Sequence, residues 1–178
     1  MTRRMHNPVD IVIEHDPWEA VGLDRLANEA ASAALSHLGL DPGAYELCLL
    51  ACDDARIAEL NGTFRDKPRP TNVLSWPSTD LQPDAAGEPP DLSEAEPELG
   101  DIAISWETCS AEAEAMGKPL EDHLRHLLVH GVLHLLGYDH IRDEDAALME
   151  GLEVAILAEM GLSNPYLLDG AEEAFNGK

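Results

Sequence analysis

His130-Gly131-Val132-Leu133-His134-Leu135-Leu136-Gly137-Tyr138-Asp139-His140 is the stretch from which the rest of the chain is read. Two residues four apart on a helix lie about 40° from each other around its axis. His130 and His134 therefore share a face, with Cβ atoms about 5–6 Å apart, close enough to grip one metal ion. Were the helix to continue, the ring of His140 would emerge about 240° around from that of His134 and about 9 Å further along. Gly137 removes that obstacle, because glycine tolerates the left-handed conformation that closes a helix. The chain can turn there and bring His140 back beside the pair.

Three neutral nitrogen ligands with a fourth position left to water are the layout of a catalytic zinc site, whereas a structural site is closed by a fourth side chain, usually Cys. No cysteine lies near this stretch. The expected cofactor is one Zn2+ ion, although imidazole ligands also suit other divalent transition metals. A lone histidine is more often a satisfied polar residue than a ligand; the triple with its intervening glycine is read as the metal site. His126 extends the ladder backwards, but His126 and His134 stand about 12 Å apart along the axis and cannot share an ion. His126, like Asp139, is expected beside the ligands rather than on the metal.

The whole chain bounds what such a site can belong to. Its 178 residues suit one domain with a sizeable core, and its formal net charge of -24 argues against a broad polyanion-binding surface. Cys48, Cys52 and Cys109 match no zinc or redox spacing, so reduced thiols and a cytoplasmic location are expected. No apolar run follows Met1 to His6, and no segment reaches the length of a membrane span.

Alternation at Val9, Ile11 and Ile13 predicts a first strand. Asp16-Pro17 predicts the cap and first turn of a long Ala-rich helix running to about Leu38 and closed by Gly39. Tyr45 to Ala51 is a short apolar run suited to a central strand, and Asp53 caps a short helix ending near Asn61-Gly62. Arg56, Arg65, Lys67 and Arg69 cluster before a third strand that ends near Trp76. In so acidic a chain this local positive charge is a contrast, and Lys67 and Arg69 are candidate substrate-binding residues. Thr79 to Glu98 reads as a flexible acidic loop. Gly100 to Ser105 is a fourth strand, Glu107 to Met116 a helix stopped by Gly117, and Pro119 opens the histidine helix. A last helix from about Asp143 to Met160 carries Leu148, Leu152 and Ile156 on one stripe, and residues 166–178 are expected to be a disordered tail beyond a domain at 1–165.

The chain resembles the YbeY-type endoribonucleases, bacterial rRNA maturation factors. The resemblance rests on H-G-V-L-H-L-L-G-Y-D-H at 130–140, F-R at 64–65 followed by P-T-N-V-L-S-W at 70–76, and G-D-I at 100–102. It implies an α+β fold in which a mixed sheet of about four strands packs against five to six helices, zincin-like in its relation to the zinc metalloprotease core. It also implies His130, His134 and His140 as zinc ligands and Arg65 as an active-site arginine. The implied activity is a metal-dependent, single-strand-specific endoribonuclease in 16S rRNA 3'-end maturation and ribosome quality control. Its partners would be precursor rRNA and a ribosomal particle or ribosomal proteins, with no membrane and a monomeric state.

Two other classes are weighed beside it. One is a metal-dependent hydrolase of peptides or small molecules; in H-E-x-x-H peptidases a Glu follows the first histidine as general base, and here that position is Gly131. The other is a non-catalytic ribosome assembly factor in which metal only holds the C-terminal helices together.

Overall fold

The computed structural model describes residues 7–166. Four strands form one mixed sheet in the order β1-β2-β4-β3: β1 (Val9–Ile13), β2 (Glu46–Cys52), β3 (Val73–Pro77) and β4 (Glu98–Ser105). β1, β2 and β4 run parallel, and β3 closes one edge antiparallel to β4. Five helices accompany them: α1 (Leu23–His37), α2 (Asp54–Arg65), α3 (Trp106–Met116), α4 (Leu120–Leu135) and α5 (Asp143–Glu159). The expected α+β class with a mixed four-stranded sheet is thus the observed one.

The alternation of side chains along a strand sorts the core. Leu47, Leu49 and Ala51 of β2 and Ile102 and Ile104 of β4 point to the face covered by α1 and α4, where the large core lies. Cys52, Leu74 and Ala103 point to the other face, which α2 covers through Ile57 and Leu60. α4 is buried on nearly every side, with Leu124, Leu127, Val129, Leu133 and Leu135 at 1% exposure or less. No helix among the described residues is long and apolar enough to cross a membrane.

Two expected helix boundaries move, each for a visible reason, and one expected stripe differs. The helix expected from Asp16-Pro17 is a short 3-10 turn over Asp16–Ala20, and α1 starts only at Leu23 after Gly22 adopts φ 75. The break lets Trp18 turn inward, fully buried, where its Nε1 donates to the Cys52 carbonyl at 2.9 Å. α2 does not stop at Asn61-Gly62 but continues to Arg65, where Asp66 at φ 57 ends it. Gly62 serves close packing instead, since a Cβ there would stand 3.0 Å from Pro68 Cβ. On α5 the buried stripe is Met149, Glu153, Ile156 and Leu157, whereas Leu148 and Leu152 are half-buried.

The acidic segment between β3 and β4 contains one 3-10 turn, Leu92–Glu94. It is pinned to the start of α5: Arg142 donates to the Pro83 and Asp84 carbonyls at 3.0 and 2.8 Å, and Asp145 accepts from the Gly87 N–H at 2.9 Å. Tyr166, expected at the start of the tail, packs onto α4 and α5; residues 167–178 lie outside the described ones.

Candidate metal centre and active-site cleft

α4 ends as the sequence predicts. The Gly137 N–H donates to the His134 carbonyl at 3.1 Å and the Tyr138 N–H to the Leu133 carbonyl at 3.0 Å, while Gly137 itself adopts φ 103. Its hydrogen atom faces the acidic segment so closely that a Cβ would stand 2.8 Å from the Leu81 backbone. The reversal returns His140 to the pair. Ring centroids of His130 and His134 are 4.5 Å apart, and His140 lies 5.2 and 5.1 Å from them. One nitrogen from each ring falls within 4.8 Å of the others.

The hydrogen bonds around the rings test whether this group suits a cation. His130 Nδ1 lies 2.6 Å from Glu153 Oε2, and His134 Nδ1 lies 3.0 Å from the Tyr138 carbonyl. Both partners are acceptors only, so each Nδ1 carries a hydrogen, and in the neutral ring Nε2 keeps its lone pair. Those two Nε2 atoms are 3.1 Å apart. Two lone pairs facing at that distance repel unless a proton or a metal ion lies between them, and nitrogens about 2.0–2.1 Å from one tetrahedral ion would stand about 3.3 Å apart, close to the distance seen. The group can hold a metal ion. Burial, and then the charge His130 and His140 would carry, push the His134 pKa down to about 3, so its ring is neutral at ordinary pH. His140 is shifted the same way, mainly by burial.

Glu153 is the residue that sequence reasoning missed. It is 1% exposed, and burial alone would raise its pKa; the hydrogen bonds from His126 and His130 reverse this and hold the carboxyl well below the usual range. Oε1 meets His126 Nε2 at 2.8 Å and also accepts from the Tyr166 hydroxyl, while Oε2 serves His130. His126 therefore stands behind the group, joined to it through Glu153. The available signal was a Glu on the Met149-Ile156 stripe, a charge at a position that otherwise reads as core. Asp139 Oδ1 accepts from the His140 N–H at 2.7 Å and shapes the turn, so this hydrogen bond goes to the backbone of His140 and not to a ring.

The rings open into a cleft of about 690 Å³ whose walls include Arg65, Lys67, Ser75, Leu81, Asp139 and Glu150. Arg65, the last residue of α2, reaches over the edge of the sheet, where one Nη2 hydrogen goes to the Ser75 carbonyl. A guanidinium has five N–H donors, so four are left for a ligand. Arg69 is not brought to the wall; its carbonyl is held by Asn61 Nδ2 at 3.0 Å, on the α2 side of the turn. Gly131 is buried against the sheet, where a Cβ would stand 2.9 Å from Ile102 Cδ1.

Known proteins match this arrangement along most of its length. The family model described as endoribonuclease YbeY matches residues 13–161, a span that takes in Arg65 and all three histidines. A Ruegeria pomeroyi protein named endoribonuclease YbeY is 54% identical over 166 residues, spanning 90% of this chain and 99% of that protein. A Jannaschia protein of the same name is 55% identical over 158 residues, at 89% and 99% coverage. The solution structure of TM1509 from Thermotoga maritima shares the fold, with a TM-score of 0.52 at 20% identity and coverage of 86% of this chain and 91% of that one. With Arg65 and the three histidines lining one cleft and its length matched almost end to end, the chain belongs to the endoribonuclease YbeY family.

Proposed function

We propose that the chain is a metal-dependent endoribonuclease that cuts single-stranded RNA, with one Zn2+ held by His130, His134 and His140 and with Arg65 as the catalytic arginine. The observation that carries the reading is that three imidazole nitrogens within 4.8 Å of one another share a cleft with an arginine that keeps most of its donors. A bound ion supplies Lewis acidity to a phosphoryl oxygen. Glu153 and the Tyr138 carbonyl fix which nitrogen of His130 and His134 faces the cleft. The Arg65 fork suits bidentate contact with phosphate oxygens and stabilises the charge that develops on them as the P–O bond breaks. Lys67, on the same wall, adds a contact to the backbone of the strand.

A net charge of -24 makes sequence-independent affinity for RNA weak and salt-sensitive. The RNA is therefore presented by a larger body. We assign the activity to 16S rRNA 3'-end maturation and ribosome quality control in the cytoplasm, performed by a monomer on a ribosomal particle. A peptidase reading has less support, because Gly131, where H-E-x-x-H enzymes carry the base, is packed against Ile102.

Cleavage of an rRNA precursor, with and without chelator, tests the proposal. Chelation should stop cleavage, and Arg65→Ala should lower turnover by about 10²- to 10³-fold with metal content unchanged. Undiminished cleavage after complete metal removal would overturn it.

A further inference from the structure

Beside the histidine cleft lies a surface of which the reaction as described uses only Arg65 and Lys67. Phe64, in the last turn of α2, is 63% exposed, although it continues a stripe whose earlier members, Ile57 and Asn61, are buried. Its ring meets that of Trp76 edge-on at 5.8 Å, and the Trp76 ring lies 5.8 Å from Arg65 Cζ. An aromatic side chain open to water thus stands one ring beyond the arginine assigned to the scissile phosphate.

The charges around it point to what would cover it. Among the described residues Arg25, Arg56, Arg125 and Arg142 each lie within 4.0 Å of a carboxylate. Arg65, Lys67 and Arg69 do not, and Lys118 is the other described Lys or Arg of which this is true. In a chain of net charge -24, three neighbouring cations left unneutralised fit an anionic ligand. Their backbone is fixed in advance. The buried Asn61 accepts the N–H groups of Asp66 and Lys67 on its carbonyl and donates from Nδ2 to the Arg69 carbonyl, and the Arg69 N–H closes onto the Lys67 carbonyl at 2.7 Å. A preformed turn of this kind loses little conformational freedom on binding.

We propose that residues 64–69 bind the nucleotide flanking the scissile phosphate, with the face of an unpaired base on Phe64 and backbone phosphates on Lys67 and Arg69. The proposal rests on the endoribonuclease reading and extends it to the origin of single-strand preference. A base inside a duplex has both faces stacked and offers none to Phe64, whereas a base in a single strand does.

Metal-free protein and a short single-stranded oligoribonucleotide carrying 2-aminopurine allow a test that does not depend on turnover. Phe64→Leu keeps an apolar side chain against Trp76 but removes the π face, and Phe64→Trp restores it. Stacking predicts that Phe64→Leu weakens binding by about 5- to 150-fold and abolishes the quenching of 2-aminopurine, that Phe64→Trp recovers both, and that the thermal melts of all three proteins agree. Lys67→Gln with Arg69→Gln should flatten the slope of log K against log salt by about 1.4. Equal affinity and equal quenching for Phe64→Leu and wild type would overturn the proposal, as would a loss that Phe64→Trp does not recover, which would mark Phe64 as an apolar contact. If metal-free wild type does not bind the oligonucleotide the base site fails, and if zinc-loaded wild type does not cut the rRNA precursor the endoribonuclease reading fails first and the base site with it.

Discussion

Glu153 Oε2 lies 2.6 Å from His130 Nδ1, so a carboxylate on α5 holds a histidine of α4 in one tautomer and one orientation. The same carboxylate reaches His126 and Tyr166 through its other oxygen. Carboxylate partners of this kind raise the basicity of a metal-binding imidazole, and their loss costs about 10- to 100-fold in metal affinity. Glu153→Gln, nearly the same in size, should weaken zinc binding by that factor in a chelator competition assay. Unchanged affinity in a folded variant would reduce Glu153 to a buried structural group.

Gly137 is under two constraints at once: a backbone φ of 103 and a Leu81 main chain 2.8 Å from where a Cβ would sit. Backbone in a region that side chains rarely adopt costs about 1–3 kcal/mol. Gly137→Ala should lower the stability of the metal-free protein by at least that much in urea unfolding, and it should weaken metal binding because the turn aims His140. A variant as stable as wild type would show that the reversal at Gly137 is not under strain.

The acidic segment should loosen in acid. The Gly87 N–H, then Arg142, hold the Asp145 carboxyl below its ordinary range of about 3.9. A depressed carboxyl contributes stability that is complete above the unfolded-state value and is lost as pH falls through the lower folded-state value. Amide exchange over residues 81–87 should therefore be faster in Asp145→Ala than in wild type near pH 6. The difference should shrink as pH drops below about 3.9. A difference independent of pH would mean that the carboxylate charge plays no part in the anchor.

The sequence carried the histidine turn, the four strands and the caps at Asp53 and Gly117, because each is set by local chemistry within a few residues. Non-local packing moved the rest. Trp18 breaks the first helix because its indole finds the Cys52 carbonyl in β2. Asn61-Gly62, which reads as a helix end, lies inside α2 because Asn61 organises the following turn and Gly62 makes room for Pro68. Glu153 stayed hidden among the apolar residues of α5, since only the pairing of α4 with α5 brings it to His130. Tyr166 follows Asn164-Pro165, which reads as the start of a tail, yet its hydroxyl meets the same carboxylate.

Isothermal titration of metal-free wild type and His140→Ala with zinc tests the account most directly. Three convergent imidazoles predict one equivalent per wild-type chain. They also predict a loss in the variant greater than the about 100-fold that removal of a supporting group costs. A His140→Ala protein that still takes up one equivalent with wild-type affinity would contradict the three-histidine centre.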